Sequence, residues 1–320
     1  MTKFIARAYN SFEINKNTNS SIFKRSNEGR LRDEINYYLN LPEELKVFFP
    51  RVFSSKTEAV PFELELEYYA YSNLGNAAFS NKNSDFWRQT FASIGLYLKN
   101  CSQFTSSLSR SDSEAMFIKK TESEYKNLVS KFEYFDGLTN YPELVFNGRK
   151  LKSIDAIWPT ISNFVKKSLF SENSQIIHGD LCFSNILFGI NETNNDLIIK
   201  LIDPRGTFGV SVLFGDIYYD LAKLSHSCNG GYEYFINDKF FIDTKDNCCD
   251  LVFIDDFRKN SQVAFTDFVE SNGFDKLKIK TIEGLIFIGM CARHYDSLDR
   301  QKAMFFTGLD LLNDVYEIVR

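Results

Sequence analysis

The sequence predicts an α+β chain of two lobes: a small strand-rich N-terminal lobe and a larger, mostly helical C-terminal lobe with one β-hairpin inside it. Three observations carry this. Residues 1–72 read as short extended runs with one helix among them, and one of the runs, Pro61 to Tyr71, alternates apolar and charged residues. Residues 85–170, and again the stretch after Asp216, space their apolar positions three and four apart, as helices do. Between these helical stretches, two apolar runs flank the polar residues 191–196, the pattern of a hairpin.

Taken in order, Phe4 to Ile14 and Ser20 to Arg25 read as extended, with turn chemistry at Asn15-Lys16-Asn17-Thr18-Asn19 between them. Arg30 to Leu39 puts Leu31, Ile35, Tyr38 and Leu39 on one helical face, and Pro42 ends it. Phe48 to Phe53 and Pro61 to Tyr71 read as two further strands. The second sets Phe62, Leu64 and Leu66 against Glu63, Glu65 and Glu67. Composition changes at Ser72-Asn73-Leu74-Gly75-Asn76, and residues 73–84 read as a connector. In the C-terminal lobe, residues 85–320, helices are expected over Phe86 to Lys99, Ser113 to Phe135 and Ile154 to Leu169. The strands Ile186 to Ile190 and Leu197 to Ile202 follow, then helix from Asp216 to Arg320.

Bulk properties narrow the function. Forty-two acidic residues against 37 basic ones give a formal charge of −5, without the electrostatic footprint of a nucleic-acid binder. No Lys/Arg run suits an anionic membrane, no apolar run suits a membrane span, and no N-terminal stretch suits a signal peptide. The expectation is a cytoplasmic protein with no obligate protein partner. Six scattered cysteines and three histidines make a structural zinc site improbable, and the cysteines read as reduced thiols. The 32 Phe and 16 Tyr promise an aromatic-rich core.

The chemistry concentrates in Ile176-Ile177-His178-Gly179-Asp180-Leu181-Cys182-Phe183-Ser184-Asn185-Ile186-Leu187-Phe188. His178, Asp180 and Asn185 form H-x-D-x-x-x-x-N, the spacing of a phosphoryl-transfer catalytic loop. A carboxylate must accept the proton of an attacking hydroxyl, and Asp180 supplies one. A neutral amide oxygen coordinates Mg²⁺ without adding charge, and Asn185 supplies that. Asp203 arrives after the hairpin as the carboxylate for the metal, in keeping with the few protein ligands Mg²⁺ prefers.

These residues resemble the signature of the aminoglycoside phosphotransferase and choline kinase superfamily, H-G-D-L-H-x-x-N-I-L followed by I-D one hairpin later. Gly215-Asp216-Ile217-Tyr218-Tyr219-Asp220-Leu221-Ala222 resembles its downstream G-D-x-x-Y-D-L-A. The resemblance implies a protein-kinase-like fold, ATP and Mg²⁺ as cofactors, Asp180 as catalytic base beside His178, and Asn185 and Asp203 as metal ligands. Cys182 departs from it, standing where the signature has a second histidine. Pro204-Arg205-Gly206 departs too, and Arg205 reads either as a substrate contact or as the partner of a nearby carboxylate.

At the nucleotide end, Lys24 sits on the strand, and Glu34 on the helix, where a kinase needs its phosphate-binding lysine and the glutamate that holds it; Arg25 and Asp33 are the near alternatives. Tyr9 to Ser21 would cover the phosphates and contains no glycine. Glu67 and Tyr69, in Glu67-Tyr68-Tyr69-Ala70-Tyr71, mark the hinge expected to meet adenine. For the acceptor, His294 is a candidate substrate wall. The acidic stretch Asp238, Asp243, Asp246, Asp250, Asp255 and Asp256 reads first as a solvated loop, and second as an attractor for a cationic acceptor such as an amino sugar or amino alcohol. The function that follows is transfer of the ATP γ-phosphoryl group to a hydroxyl of a small molecule: a sugar, a sugar derivative of surface-polysaccharide synthesis, or an amino alcohol. Alternatives are an aminoglycoside-type antibiotic kinase and a pseudokinase scaffold. Asp180→Asn is expected to fold normally and lose most turnover.

Overall fold

A computed structural model describes residues 20–170, 173–191, 193–194 and 196–320, with the backbone of the strand at 11–14. The N-terminal sheet holds four antiparallel strands in the order β1-β2-β4-β3: β1 (Ser11–Ile14), β2 (Ser21–Ser26), β3 (Val52–Lys56) and β4 (Phe62–Glu67). Helix α1 (Gly29–Asn40) covers it, burying Leu31, Glu34, Ile35, Tyr37 and Tyr38, and α2 (Glu43–Lys46) follows. Along β4 the expected alternation holds, with Phe62, Leu64 and Leu66 buried. Phe48 and Phe49, expected in a strand, lie in the turn after α2, and β3 begins only at Val52. Pro50 has no N–H for a sheet ladder, which fits that late start. The predicted phosphate-covering span 9–21 lies outside the described residues except for the 11–14 backbone and Ser20–Ser21.

The connector is more ordered than the sequence suggests. It begins with β5 (Ser72–Asn73) and α3 (Leu74–Ala77), whose N-cap Asn73 accepts a hydrogen bond from Asn76 N–H at 2.9 Å. Helix α4 (Ser84–Cys101) buries Trp87, Phe91, Ile94, Tyr97, Leu98 and Cys101 on one face. The predicted all-helical run to residue 170 is interrupted. β6 (Thr105–Ser107) precedes α5 (Arg110–Glu114), a π-helical turn at Ala115–Lys119, α6 (Lys120–Lys131) and α7 (Glu133–Leu138). A hairpin of β7 (Glu143–Phe146) and β8 (Arg149–Lys152) then precedes α8 (Ile154–Ser168). Its two-residue loop is Asn147-Gly148, both at positive φ, so the strongest short hairpin signal was present in the sequence.

After β9 (Asn173–Ile176) comes the predicted hairpin, β10 (Ile186–Ile190) paired with β11 (Leu197–Leu201), and β5 joins its edge. Short pairs β12 (Thr207–Phe208) with β13 (Ser211–Val212), and β14 (Phe214–Gly215) with β9, lead into α9 (Ile217–Cys228) and α10 (Tyr232–Ile236). The expected unbroken helix to Arg320 is a second miss. The antiparallel pair β15 (Phe240–Lys245) and β16 (Cys248–Phe253) adds to the β7–β8 hairpin before α11 (Lys259–Ser271), α12 (Lys276–Ile288) and α13 (Leu298–Val319). The acidic stretch lies on and around this pair. Asp238 and Asp256 are held by Arg300 and Arg258, each at 2.7 Å.

Candidate active site

Strand pairing positions the residues predicted for the nucleotide end. β2 registers Lys24 against Leu64, which turns Lys24 inward to 6% exposure while Arg25 stays out and approaches Glu63 at 3.5 Å. Lys24 Nζ donates to Glu34 Oε2 at 2.6 Å and to Asp203 Oδ1 at 2.8 Å. Burial opposes its charge, but Asp203 and Glu34 outweigh burial and hold the ammonium above its ordinary pKa. The predicted lysine and glutamate therefore meet, and they meet the predicted metal ligand.

The catalytic loop is built on its own backbone. His178 is fully buried and stacks on Phe49 with ring centroids 6.1 Å apart. Its Nε2 donates to Ile202 O at 3.0 Å, and its Nδ1 accepts from Asp180 N–H at 3.2 Å. Burial drives its pKa down to about 4, so the imidazole is neutral, as this pair of bonds requires. His178 thus shapes the loop. Gly179 takes φ +76°, and a Cβ there would stand 2.7 Å from Arg205 Cβ.

Asp180 carries a cation on each oxygen: Lys223 Nζ lies 2.9 Å from Oδ1 and Arg30 Nη2 3.3 Å from Oδ2. Burial would raise this carboxyl, yet Lys223 and Arg30 hold it well below the usual carboxylate range. Asn185 Nδ2 donates to Asp180 O at 2.9 Å, which leaves the amide oxygen as its acceptor atom. Ile202 N–H donates to Asn185 O at 3.0 Å and so brings Asp203 beside it. Asp203 sits at φ +56°, a conformation that costs a non-glycine residue about 1–3 kcal/mol and is frequent at functional sites. Its side chain keeps 40% exposure, so Lys24 does not shut it off. An amide oxygen and a part-open carboxylate are hard donors that fit Mg²⁺. Among the described residues no group of three His, Cys, Asp or Glu stands ready to hold a metal alone.

Arg205 and Cys182 border this centre, and the remaining predicted residues make contacts of their own. Glu67 accepts from the Tyr69 hydroxyl at 2.8 Å, and Tyr69 rises to about 12 through burial and that bond. The backbone N–H groups of Tyr69 and Ala70 have no protein partner among the described residues. Arg205 pairs with no carboxylate among them. Its N–H donates to His178 O at 2.8 Å, its Nε to Thr207 O at 3.0 Å, and its Nη1 approaches the Tyr219 hydroxyl at 3.5 Å. His294 is buried, edge-on to Tyr232 at 6.2 Å. Cys182 is a buried thiol 3.2 Å from Ser184 Oγ, pushed up to about 12 by burial and by Asp180.

Sequence reasoning missed the supports. Asp220 accepts from His178 N–H and Gly179 N–H, both at 2.7 Å. Ser227 Oγ accepts from Phe183 N–H at 3.0 Å and donates to Glu233 at 2.9 Å. The available signal was a Lys and an Asp inside a helix whose residues from Tyr219 to Cys228 are all buried. Arg30, in the exposed first turn of α1, carried no signal.

No family model matches the sequence, and no curated protein matches it. Solved structures do match its fold. The crystal structure of aminoglycoside phosphotransferase APH(4)-Ia superposes at a TM-score of 0.55 and 8% identity, over 99% of this chain and 92% of that one. ADP-bound APH(2'')-Ib gives 0.54 at 11% identity, over 97% and 93%. The gentamicin complex of APH(2")-IIa gives 0.53 at 14% identity, over 95% and 87%. At such identities the likeness establishes the shared two-lobed, protein-kinase-like α+β fold.

Proposed function

We propose that the chain is a small-molecule kinase that uses ATP and Mg²⁺ to phosphorylate a hydroxyl group. The observation that carries this reading is the convergence of Lys24, Glu34 and Asp203 on one point, next to a loop that presents Asp180 and Asn185. Mg²⁺, when bound, would neutralise charge developing on the phosphates. The chain's own residues do the rest. Lys24, held by Glu34, binds phosphate oxygens, and the free N–H groups of Tyr69 and Ala70 offer the hinge edge to a base. Asn185 and Asp203 hold the metal. Asp180 orients the acceptor hydroxyl and takes its proton. A carboxylate held so firmly ionised is a weak base, which suffices where the transition state is largely dissociative and needs positioning above all.

The fold neighbours include proteins solved with ADP and with gentamicin, which supports a nucleotide donor and keeps an amino-sugar acceptor as a second reading beside a sugar or amino alcohol. A surface-polysaccharide acceptor stays within the first reading. Among the described residues no helix is long and apolar enough to cross a membrane, and all six cysteines are free thiols, which fits cytoplasmic work on ATP.

Thermal melting tests the donor side. Saturating ATP with Mg²⁺ should raise the melting temperature by several degrees, ATP with EDTA by much less, and Asp203→Ala should blunt the magnesium-dependent part. No shift at millimolar nucleotide would return the chain to a scaffold role.

A further inference from the structure

Two cations meet on one buried phenol beside the catalytic loop. Lys120 Nζ donates to the Tyr219 hydroxyl at 3.2 Å, and Arg205 Nη1 approaches the same oxygen at 3.5 Å. One turn along α9 from Tyr219, Lys223 reaches Asp180. Tyr219 itself is 2% exposed. The carboxylates nearby are already committed: Asp180 to Lys223 and Arg30, and Glu124 to Arg293 at 2.7 Å. Among the described residues neither Lys120 nor Arg205 has a carboxylate partner, so together they leave surplus positive charge next to Asp180.

The titration of the cluster agrees with its geometry. Burial would raise the Tyr219 hydroxyl, yet Lys120, Arg205 and Lys223 pull it down to about 7. Burial lowers Lys120 to about 8, with Arg205, Arg293 and Lys223 pushing the same way and Tyr219 alone opposing. The protein thus drains charge from its own groups to relieve an excess of positive potential. Lys120 is aimed there by the π-helical turn Ala115–Lys119 that precedes it, a rare distortion found often at functional sites. Lys120 and Arg205 are both half-buried. A void of about 10 Å³ beside Lys120 has room for one water at most, so it is too small to hold a ligand.

We propose that the acceptor carries an anionic group, a carboxylate or a phosphate ester, which binds between Lys120 and Arg205 while its hydroxyl faces Asp180. The proposal rests on the kinase reading for that hydroxyl, but not for the anion site. It separates this chain from an amino-sugar kinase, because a polycationic acceptor would meet like charge at Lys120 and Arg205 that the Tyr219 hydroxyl offsets only in part.

Calorimetry on the full chain with glucose, glucose 6-phosphate, glucuronate, glycerate, inorganic phosphate and kanamycin tests it. At least one carboxylate or phosphate compound should bind ten-fold or more tighter than glucose, and the ranking of glucuronate against glucose 6-phosphate identifies which anion the site takes. Lys120→Gln and Arg205→Gln should each weaken that binding ten-fold or more. Saturating ADP should not compete with it, which separates the site from the nucleotide phosphates. Equal or tighter binding of kanamycin, no binding by any anion, or anion binding abolished by ADP but kept in Lys120→Gln would each overturn the proposal. ADP release with the same compounds tells the two readings apart. Turnover of a neutral or cationic acceptor alone keeps the kinase and refutes the anion site, whereas Lys120-dependent anion binding without turnover keeps the site and refutes the kinase.

Discussion

Asp180 shows how one residue ties chemistry to stability. Its two oxygens neutralise Lys223 and Arg30, and Lys223 is 7% exposed. Asp180→Asn should lower kcat by about 10²–10⁴-fold, the range for removing a general base. The sequence reading expected the variant to fold normally, but the structure argues otherwise. Lys223 would keep its charge in a buried place and lose its carboxylate. Removing one partner of a buried pair costs about 3–5 kcal/mol, and less here because Asp180 is part-open to solvent at 20%. A fall in melting temperature is therefore expected beside the loss of turnover. Asp180→Asn with Lys223→Met should recover the melting temperature and leave turnover lost. Recovered turnover in the double variant would remove Asp180 from the mechanism.

At the next scale, α9 is the spine of the site. Asp220, Lys223 and Ser227 stand three and four residues apart, hence on one helical face. They hold, in order, the His178 and Gly179 amides, the Asp180 carboxylate and the Phe183 amide. Ser227→Ala would leave the Phe183 N–H and Glu233 without that hydroxyl, at a cost of about 1–3 kcal/mol. It should lower kcat more than it raises KM for ATP, since the loop and not the nucleotide pocket is loosened. Equal kcat with a raised KM would point away from α9. Lys24 and Glu34 were legible because strand alternation and helix order place them locally. Asp180 and Asn185 were legible because they share one short motif, and Asp203 because it follows one hairpin later. The roles of the α9 supports were not: Asp220 stood in a recognised motif without a partner to name, and Asp220, Lys223 and Ser227 all act across about forty residues of chain, two of them on backbone amides and Lys223 on the Asp180 carboxylate. The β7–β8 and β15–β16 strands were overlooked for another reason. They are four to six residues long inside otherwise helical surroundings, and β8, Arg149-Lys150-Leu151-Lys152, shows one apolar residue.

Across the whole molecule, apolar packing does not stop at the lobe boundary. One core joins Leu31, Ile35, Leu64 and Leu66 of the N-terminal lobe to Trp87, Phe91, Phe183, Leu221 and Phe268. A second fills the distal C-terminal lobe around Ile157, Phe287 and Leu309. Two buried glutamates, Glu283 and Glu233, have serine hydroxyls as their side-chain partners among the described residues. Ser225 donates to Glu283 at 2.5 Å and Ser227 to Glu233 at 2.9 Å, and the second oxygen of each glutamate has no partner among the described residues. Burial raises both from the ordinary 4.5 to about 7, with the serines, Lys280 and Arg258 near Glu283, and Lys223 near Glu233, countering only in part. A carboxyl whose pKa is raised by folding contributes stability that is complete below pH 4.5 and lost as pH rises through 7. Each loss is on the order of 2–3 kcal/mol. The buried histidines run the other way: His178 and His226 are held neutral by burial, so their contribution falls as the solution is acidified below pH 6.5. The parent melting curve against pH is therefore a compromise between the two sets, and a difference between variants isolates one of them. Glu283→Gln keeps the neutral shape and the hydrogen bond to Ser225 while removing the titration. It should match the parent near pH 5 and melt several degrees higher at pH 8, where the parent must either ionise a buried glutamate or hold its proton against solvent. A Glu283→Gln curve parallel to the parent from pH 5 to 8 would mean that Glu283 is already ionised and solvated in the folded chain.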